Sequence, residues 1–510
     1  MSHDERVEEL EARRAKVRAM GSARRLDERK AAGILNARER IDHLLDDESF
    51  SEVGLHAVSS NPLHRDKSPA DGVVTGFGQI DGRGVAVVAH DFTTLGASTA
   101  ITYSRKTAYV ERAATERGLP LIVLGEAGGA RLPDSLDAAG FGAMSMGAKQ
   151  AWGRARRSPW ISAVLGQCFG GPTWDAVRSD YVVMRKGAQL GVSSEQVTSV
   201  AVSQASDDEY CGWRMHTTET GFVDCAVDRD EDALDRIRQL LAYLPSHHGE
   251  APPRAPVPDG SDSGATRLFE LVPEDRRKTY DIDRVIDAIV DLGSFFPFKE
   301  RFARVVTTGL ARLAGETVGI IASNPRFKGG ALDPEACDKA ASFVVFCDSF
   351  NIPIILLADT PGFLVGLERE RRKLPGKVIN LLDALAMTTV PTVALILRKA
   401  IGLAYLAFGG GMADALGVWP TAEASLMDPS VAVNVLYGIQ RESDPARFAE
   451  LEEQMKRDTS GYALASTFAA HDVIDPRESR RWLVRTLDIH RRRLTNGIGE
   501  HHLCAWPTTL

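Results

Sequence analysis

Two glycine corners are the places in this chain where chemistry is best supported. Gly170 and Gly171 follow the apolar run that starts at Trp160, and Gly402 follows the run Thr392 to Ile401. Pro159 to Gly170 spans eleven positions, and so does Pro391 to Gly402. A glycine at a strand-to-helix turn leaves backbone N–H groups free and reachable, and a helix N-terminus adds positive potential. Two such donors aimed at one oxygen make an oxyanion hole. The structural alternative is a tight turn that lets a helix pack closely on a sheet. No GxSxG, HExxH or GxxxxGK[ST] motif is present, nor a dinucleotide fingerprint in the right context. Cys168, Cys211, Cys225, Cys337, Cys347 and Cys504 are scattered without a CxxC pair, so no metal site is expected. An enzyme of this kind would work largely with its backbone.

The elements that must position these corners follow from length and pattern. The chain has 510 residues, 61 Lys+Arg against 69 Asp+Glu for a net charge of −8, and 44% hydrophobic residues. At roughly 150 residues per domain, that length implies about two or three domains. The mild acidity gives no reason to expect a nucleic-acid or membrane surface. No apolar run nears the ~18 residues of a membrane span. The first twenty residues alternate charge and lack the apolar core of a signal peptide, so a cytoplasmic protein is expected. Residues 1–50 read as helices with solvated faces. Five prolines between Pro245 and Pro258 exclude a helix or central strand there and mark a domain boundary.

Either side of that boundary the chain repeats itself. Ile41 to Phe50 answers Ile286 to Phe295. Thr75 to Asp91 aligns without a gap on Thr308 to Asn324, each reading as two short strands around a Gly-containing turn. Gly118 to Leu132 answers Asn351 to Val365, and Ser158 to Gly171 answers Val390 to Leu403; both read as buried strands ending in a turn. Four matched blocks in one order describe two copies of one domain, 1–250 and 251–510. Helical stretches such as Ser104–Arg117 and Pro334–Phe350 alternate with the strands, so the class is α/β with largely parallel sheets.

At this point the sequence resembles a known family, the carboxyltransferase (β) subunits of biotin-dependent acyl-CoA carboxylases, of the propionyl-CoA carboxylase type. The resemblance covers Ala37 to Ile474. It rests on ARERIDHLL at 37–45, GGARL at 128–132, CFGG at 168–171, the long match at 339–363, TVPTVALILRKAIGLAY at 389–405 and WPTAEASLM at 419–427. It implies two tandem crotonase-like domains, a homohexamer, and an active site between the first half of one protomer and the second half of another. A biotin carboxylase and biotin carrier subunit would be the partner, since the chain has no biotinylation motif or ATP-binding loop of its own. CO2 would pass from carboxybiotin to the α-carbon of an acyl-CoA. By the same resemblance, the amides of Gly170 and Gly171 would hold the thioester oxygen as it becomes an enolate. Those of Leu403 and Ala404 would hold the ureido oxygen of biotin. Gly128, Gly129, Arg131, Phe169, Gly402, Tyr405 and Leu406 would line the substrate site, with Leu406 facing the acyl group. Arg131 would meet the CoA phosphates or, alternatively, form a structural ion pair. Glu423 would be a paired carboxylate and not a catalytic one. The family's chemistry needs no protein base, in keeping with the missing acid–base motif.

The loops depart from the family pattern. Cys-Ala-Gly-Gly-Ala becomes Cys168-Phe169-Gly170-Gly171-Pro172, which loses one N–H at Pro172. Tyr-Gly-Gly-Ala-Tyr becomes Ile401-Gly402-Leu403-Ala404-Tyr405. Three readings follow: the carboxyltransferase; a decarboxylase of a malonyl-type thioester that uses the same enolate hole, with or without biotin; and a non-catalytic scaffold subunit.

Overall fold

The computed structural model describes residues 2–144, 153–202 and 210–507. They form two compact units, one running to His248 and the other from Gly249. Each contains an eight-stranded sheet. In the first unit β1 (Ser51–Val53), β2 (Val73–Ile80) and β3 (Arg83–His90) pair antiparallel. β4 (Leu121–Ala127), β5 (Trp160–Phe169), β6 (Tyr181–Arg185) and β8 (Cys225–Val227) continue the sheet in parallel, and β7 (Gln189–Gly191) pairs with β5 aside from that path. The second unit repeats the order strand for strand. Its strands are β9 (Phe296–Phe298), β10 (Val306–Leu313), β11 (Glu316–Ser323), β12 (Ile354–Thr360), β13 (Thr392–Ile401), β14 (Ala415–Val418), β15 (Glu423–Ser425) and β16 (Asp472–Val473). Among the described residues no helix is long and apolar enough to cross a membrane.

The local reasons for this fold are themselves duplicated. Asp81-Gly82 and Ala314-Gly315 both take positive φ, which gives the two-residue turn whose twist suits a hairpin. Each turn is capped by a carboxylate from the first matched block. Asp46 accepts the amides of Asp81 and Gly82 at 3.0 and 2.8 Å, and Asp291 accepts those of Ala314 and Gly315 at 2.9 and 2.7 Å. β4 and β12 are buried along their whole length, which explains why they read as unbroken apolar runs.

Helices behind the sheet are locked by buried lysines. Lys106, in the helix Ile101–Arg117, donates to the carbonyls of Ala70 and Val73 at 2.7 and 2.5 Å. Lys339, in the helix Pro334–Ser349, donates to those of Lys299, Phe302 and Val306 at 2.9, 2.9 and 2.7 Å. The first of these helices begins three residues before the sequence-based start, because its cap is remote: Asp71 accepts the amide of Tyr103 at 2.9 Å. The helices His3–Arg18, Ala23–Ala31 and Ala37–Leu44 fill the N-terminal stretch, and 249–263 carries neither helix nor strand.

Replacing Lys339 by Met keeps much of the packing but takes the ammonium donor from the carbonyls of buried Phe302 and Val306, and from that of half-buried Lys299, which keeps the Phe302 amide. About 3 kcal/mol or more of stability should go, read as a lower denaturation midpoint; an unchanged midpoint would contradict the lock.

Candidate active site

In the first unit β5 ends at Phe169, and Gly170 turns the chain at φ 69 and ψ −125, a conformation that only glycine adopts readily, into the helix Gly171–Val177. Gly171 is exposed. A Cβ built on it would find nothing nearer than Thr99 Cγ2 at 3.6 Å. The loop after β4 lies directly against this corner. A Cβ on Gly170 would stand 3.6 Å from Gly129 Cα, and one on Gly129, at φ 95, would stand 3.5 Å from the Phe169 carbonyl oxygen. The Gly128 amide donates to Gly96 at 2.9 Å, and the Gly129 carbonyl accepts from the Thr99 amide at 2.8 Å. Gly128, Gly129, Gly170 and Gly171 therefore share one place. Phe169 is buried, and a Cβ built on Gly191 would stand 3.6 Å from its ring.

Arg131 does not face solvent. It is 4% exposed, and its guanidinium donates to Asp71 at 2.7 Å, to the Ser98 carbonyl at 2.9 Å and to the Ser98 hydroxyl at 3.2 Å. The geometry is that of the structural ion pair. Asp71 also caps the helix Ile101–Arg117, so Arg131 ties the corner loop to that helix and leaves no charge directed at a phosphate.

The second corner repeats the first. β13 ends at Ile401, Gly402 has φ 63, Leu403 lies at φ −65 and ψ −18, and the helix Ala404–Ala407 follows. Gly362, at φ 123, comes against this corner as Gly129 does in the first unit: its Cβ would stand 3.6 Å from the Ile401 carbonyl oxygen. Leu403 has an ordinary φ, so a side chain there brings no backbone strain. The amides of Leu403 and Ala404 stand in the first helical turn, where intrahelical acceptors do not reach. Tyr405 packs against Gly410, its hydroxyl 3.4 Å from the Ala469 carbonyl, and half-buried Leu406 lies beside Gly411. Glu423 is paired with Arg276 at 2.7 Å, and Arg276 also holds Asp428 at 2.6 Å.

Beneath each corner lies a buried acid that the sequence reading did not single out. Glu126, on β4, accepts from Arg29 and Arg40, both at 2.7 Å; Asp359, at the same place on β12, accepts from Arg398 at 2.9 and 2.7 Å. Burial alone would raise the Glu126 carboxyl, but Arg40 and Arg29 reverse that and hold it below its ordinary value. The backbone N–H of Glu126 donates to His90 Nδ1 at 3.2 Å, and His90 Nε2 lies 2.6 Å from the Tyr103 hydroxyl. Nδ1 is thus an acceptor, which puts the ring hydrogen on Nε2. Ser323 does the same for Asp359 in the second unit. Among the described residues no group of His, Cys, Asp and Glu could hold a metal ion.

Residues 28–502 match the carboxyl transferase domain. The chain is 38% identical over 499 residues, 96% of each sequence, to the carboxyltransferase subunit of propionyl-CoA carboxylase from Haloferax mediterranei. It is 33% identical over 506 residues, 98% of each, to the alpha subunit of methylmalonyl-CoA decarboxylase from Veillonella parvula. The fold matches the solved hexameric transcarboxylase 12S, with methylmalonyl-coenzyme A and methylmalonic acid bound, at a TM-score of 0.89 and 33% identity over 97% of each chain.

His90 makes the floor of the first corner acid-sensitive. Burial first, and Arg40 next, push it from 6.5 to about 4, against the pull of Glu126. Between those values the unfolded chain binds the extra proton, so this contribution is intact above pH 6.5 and falls away as the pH drops, by about 3 kcal/mol at pH 4. Thermal unfolding followed from pH 7 to 4 should show a flatter decline for His90→Gln than for the wild type. Parallel slopes would rule His90 out as the source.

Proposed function

The chain belongs to the carboxyl transferase family, and on that premise we propose that it is the carboxyltransferase subunit of a biotin-dependent acyl-CoA carboxylase. Its two units are crotonase-like domains meeting near residue 250. It assembles as a homohexamer and works with a biotin carboxylase and carrier subunit. The observation that carries this reading is the duplicated corner: the same strand end, left-handed glycine and crossing glycine loop in both units.

The first corner takes the acyl-CoA. Removing the α-proton of a thioester places charge on its carbonyl oxygen, and the Gly170 and Gly171 amides are held where they can bind that oxygen without rearranging. Preorganised donors of this kind are worth roughly 3–4 kcal/mol each. The second corner fits a ureido carbonyl. Its donors are the Leu403 and Ala404 amides, and Leu403 takes an unstrained φ. Biotin, when bound there, supplies the carboxyl group. Leu406 borders the acyl end with an apolar surface.

With Arg131 turned inward, the CoA phosphates need other cations, and residues 13–30 provide them. That stretch carries eight Lys and Arg against Asp27 and Glu28. It is fastened just past the end of β3, where the Gly21 amide donates to Thr93 Oγ1 at 3.1 Å, and to β4, where Arg29 reaches Glu126. That is the edge of the sheet at which the parallel strands β3, β4 and β5 end, where α/β ligands usually bind. Lys16, Arg18 and Lys30 are exposed and have no acidic partner among the described residues.

A decarboxylase acting on a malonyl-type thioester is the second reading, favoured by the likeness to a decarboxylase alpha subunit over nearly the whole chain. It passes through the same enolate. Assaying the purified protein against acyl- and malonyl-type CoA thioesters, with and without carboxybiotin, separates the two. Carboxylation that requires carboxybiotin is expected, whereas CO2 release without biotin would replace the first reading by the second. In the same assay Gly171→Val should lose turnover by about 100-fold or more with the oligomer intact, because the added side chain meets open space and not the core; an active variant would mean the oxygen is held elsewhere.

Reversing two charges, Arg18→Glu with Lys30→Glu, should raise KM for the CoA thioester about tenfold at low salt and leave KM for the matching pantetheine thioester nearly unchanged. Equal effects on both would remove the phosphates from this surface.

A further inference from the structure

The two corners differ in which amide the fold keeps for itself. In the second unit β13 pairs with β15, Ile401 opposite Ser425, and the Gly402 amide extends that ladder onto the Ser425 carbonyl at 2.8 Å. The next two amides, of Leu403 and Ala404, are then the donors left over. In the first unit β5 pairs with β7 in the same register, Phe169 opposite Gly191. Counting from the glycine, Gly171 stands for Leu403 and Pro172 stands for Ala404. Proline has no N–H, so the pair that serves the second corner is reduced to one donor in the first.

The carbonyl in the place of Ser425 is that of Gly191, and it has a different partner. The hydroxyl of Thr173, a residue 4% exposed, lies 2.6 Å from the Gly191 carbonyl oxygen and 2.9 Å from that of Cys168. No carbonyl among the described residues accepts a hydrogen bond from the Gly170 amide. At the matching position in the second unit stands Tyr405, whose hydroxyl reaches toward Ala469 instead.

We propose that Thr173 is a positioning residue that shifts the donor pair of the first corner back by one. Its hydroxyl satisfies the Gly191 carbonyl, so the Gly170 amide joins that of Gly171 in facing the thioester oxygen and replaces the donor that Pro172 lacks. A hydroxyl at residue 173 and a proline at residue 172 therefore depend on each other. The inference rests on the carboxyltransfer reading and specifies how its first hole is built.

The test is a set of variants assayed with the acyl-CoA that the wild type carboxylates. Thr173→Val keeps the shape and removes the donor, which lets the Gly191 carbonyl recapture the Gly170 amide. Its kcat should fall about 10- to 100-fold while KM for the acyl-CoA moves less than about threefold, because contacts remote from the reacting oxygen are untouched. Thr173→Ser should stay within about threefold of the wild type, and Pro172→Ala combined with Thr173→Val should recover about tenfold over Thr173→Val alone by restoring the missing amide. A Thr173→Val protein with wild-type kcat overturns the proposal and leaves the functional reading standing. So does a double variant no better than the single one. Should Thr173→Val fail to assemble, Thr173→Ser decides: near-wild-type activity supports the hydroxyl, and a loss above tenfold overturns it. A wild type inert toward every thioester overturns the proposal together with the functional reading.

Discussion

At each corner two stretches of backbone touch with no side chain between them. Gly129 sits against the last carbonyl of β5, and Gly362 sits against the last carbonyl of β13, each at a φ that L-residues rarely adopt. That contact sets the height of the loop over the strand end, and with it the direction of the amides just beyond. Everything nearby serves to keep the contact in place. Arg131 ties the first loop down to Asp71, and Glu126 and Asp359 anchor the strands carrying the loops through buried arginines. A site made of peptide groups has no titrating side chain to adjust, so its geometry must be fixed by what surrounds it.

The fold was largely legible in the residues because its signals are local. A two-residue turn needs positive φ twice, a strand buried on both faces needs an unbroken apolar run, and a proline-rich stretch admits neither helix nor central strand. Even the Asp46 and Asp291 caps lay inside a matched block, though their role appears only once the hairpins are built. What stayed hidden is set by partners distant along the chain. Arg131 could be read as a phosphate ligand because Asp71 lies 60 residues earlier. The helix from Ile101 starts early for the same reason. Thr173 carried no visible signal, since a hydroxyl two residues past a glycine pair says nothing until β7 arrives beside it. The cationic stretch at residues 13–30 was visible as composition, but its acidic neighbours in the first eleven residues masked it.

The duplication also shows where the two copies were free to diverge. Hairpin registers, turn caps and buried lysines coincide. At the rim Arg131 answers Leu364, Pro172 answers Ala404 and Thr173 answers Tyr405, and below it His90 answers Ser323. On the proposed reading, two sites descended from one template would hold two different oxygens with the same kind of donor.

Lys106 and Lys339 bring one more consequence. Each ammonium is wrapped by main-chain oxygens much as a crown ether wraps a cation, and mobile ions in the surrounding water cannot reach it. Ionic strength weakens charge pairs at the surface but leaves shielded ones nearly untouched. The fastening of helix to sheet behind the corners should therefore hold in brine as it does in dilute buffer, even where the outer shell of charges has been silenced.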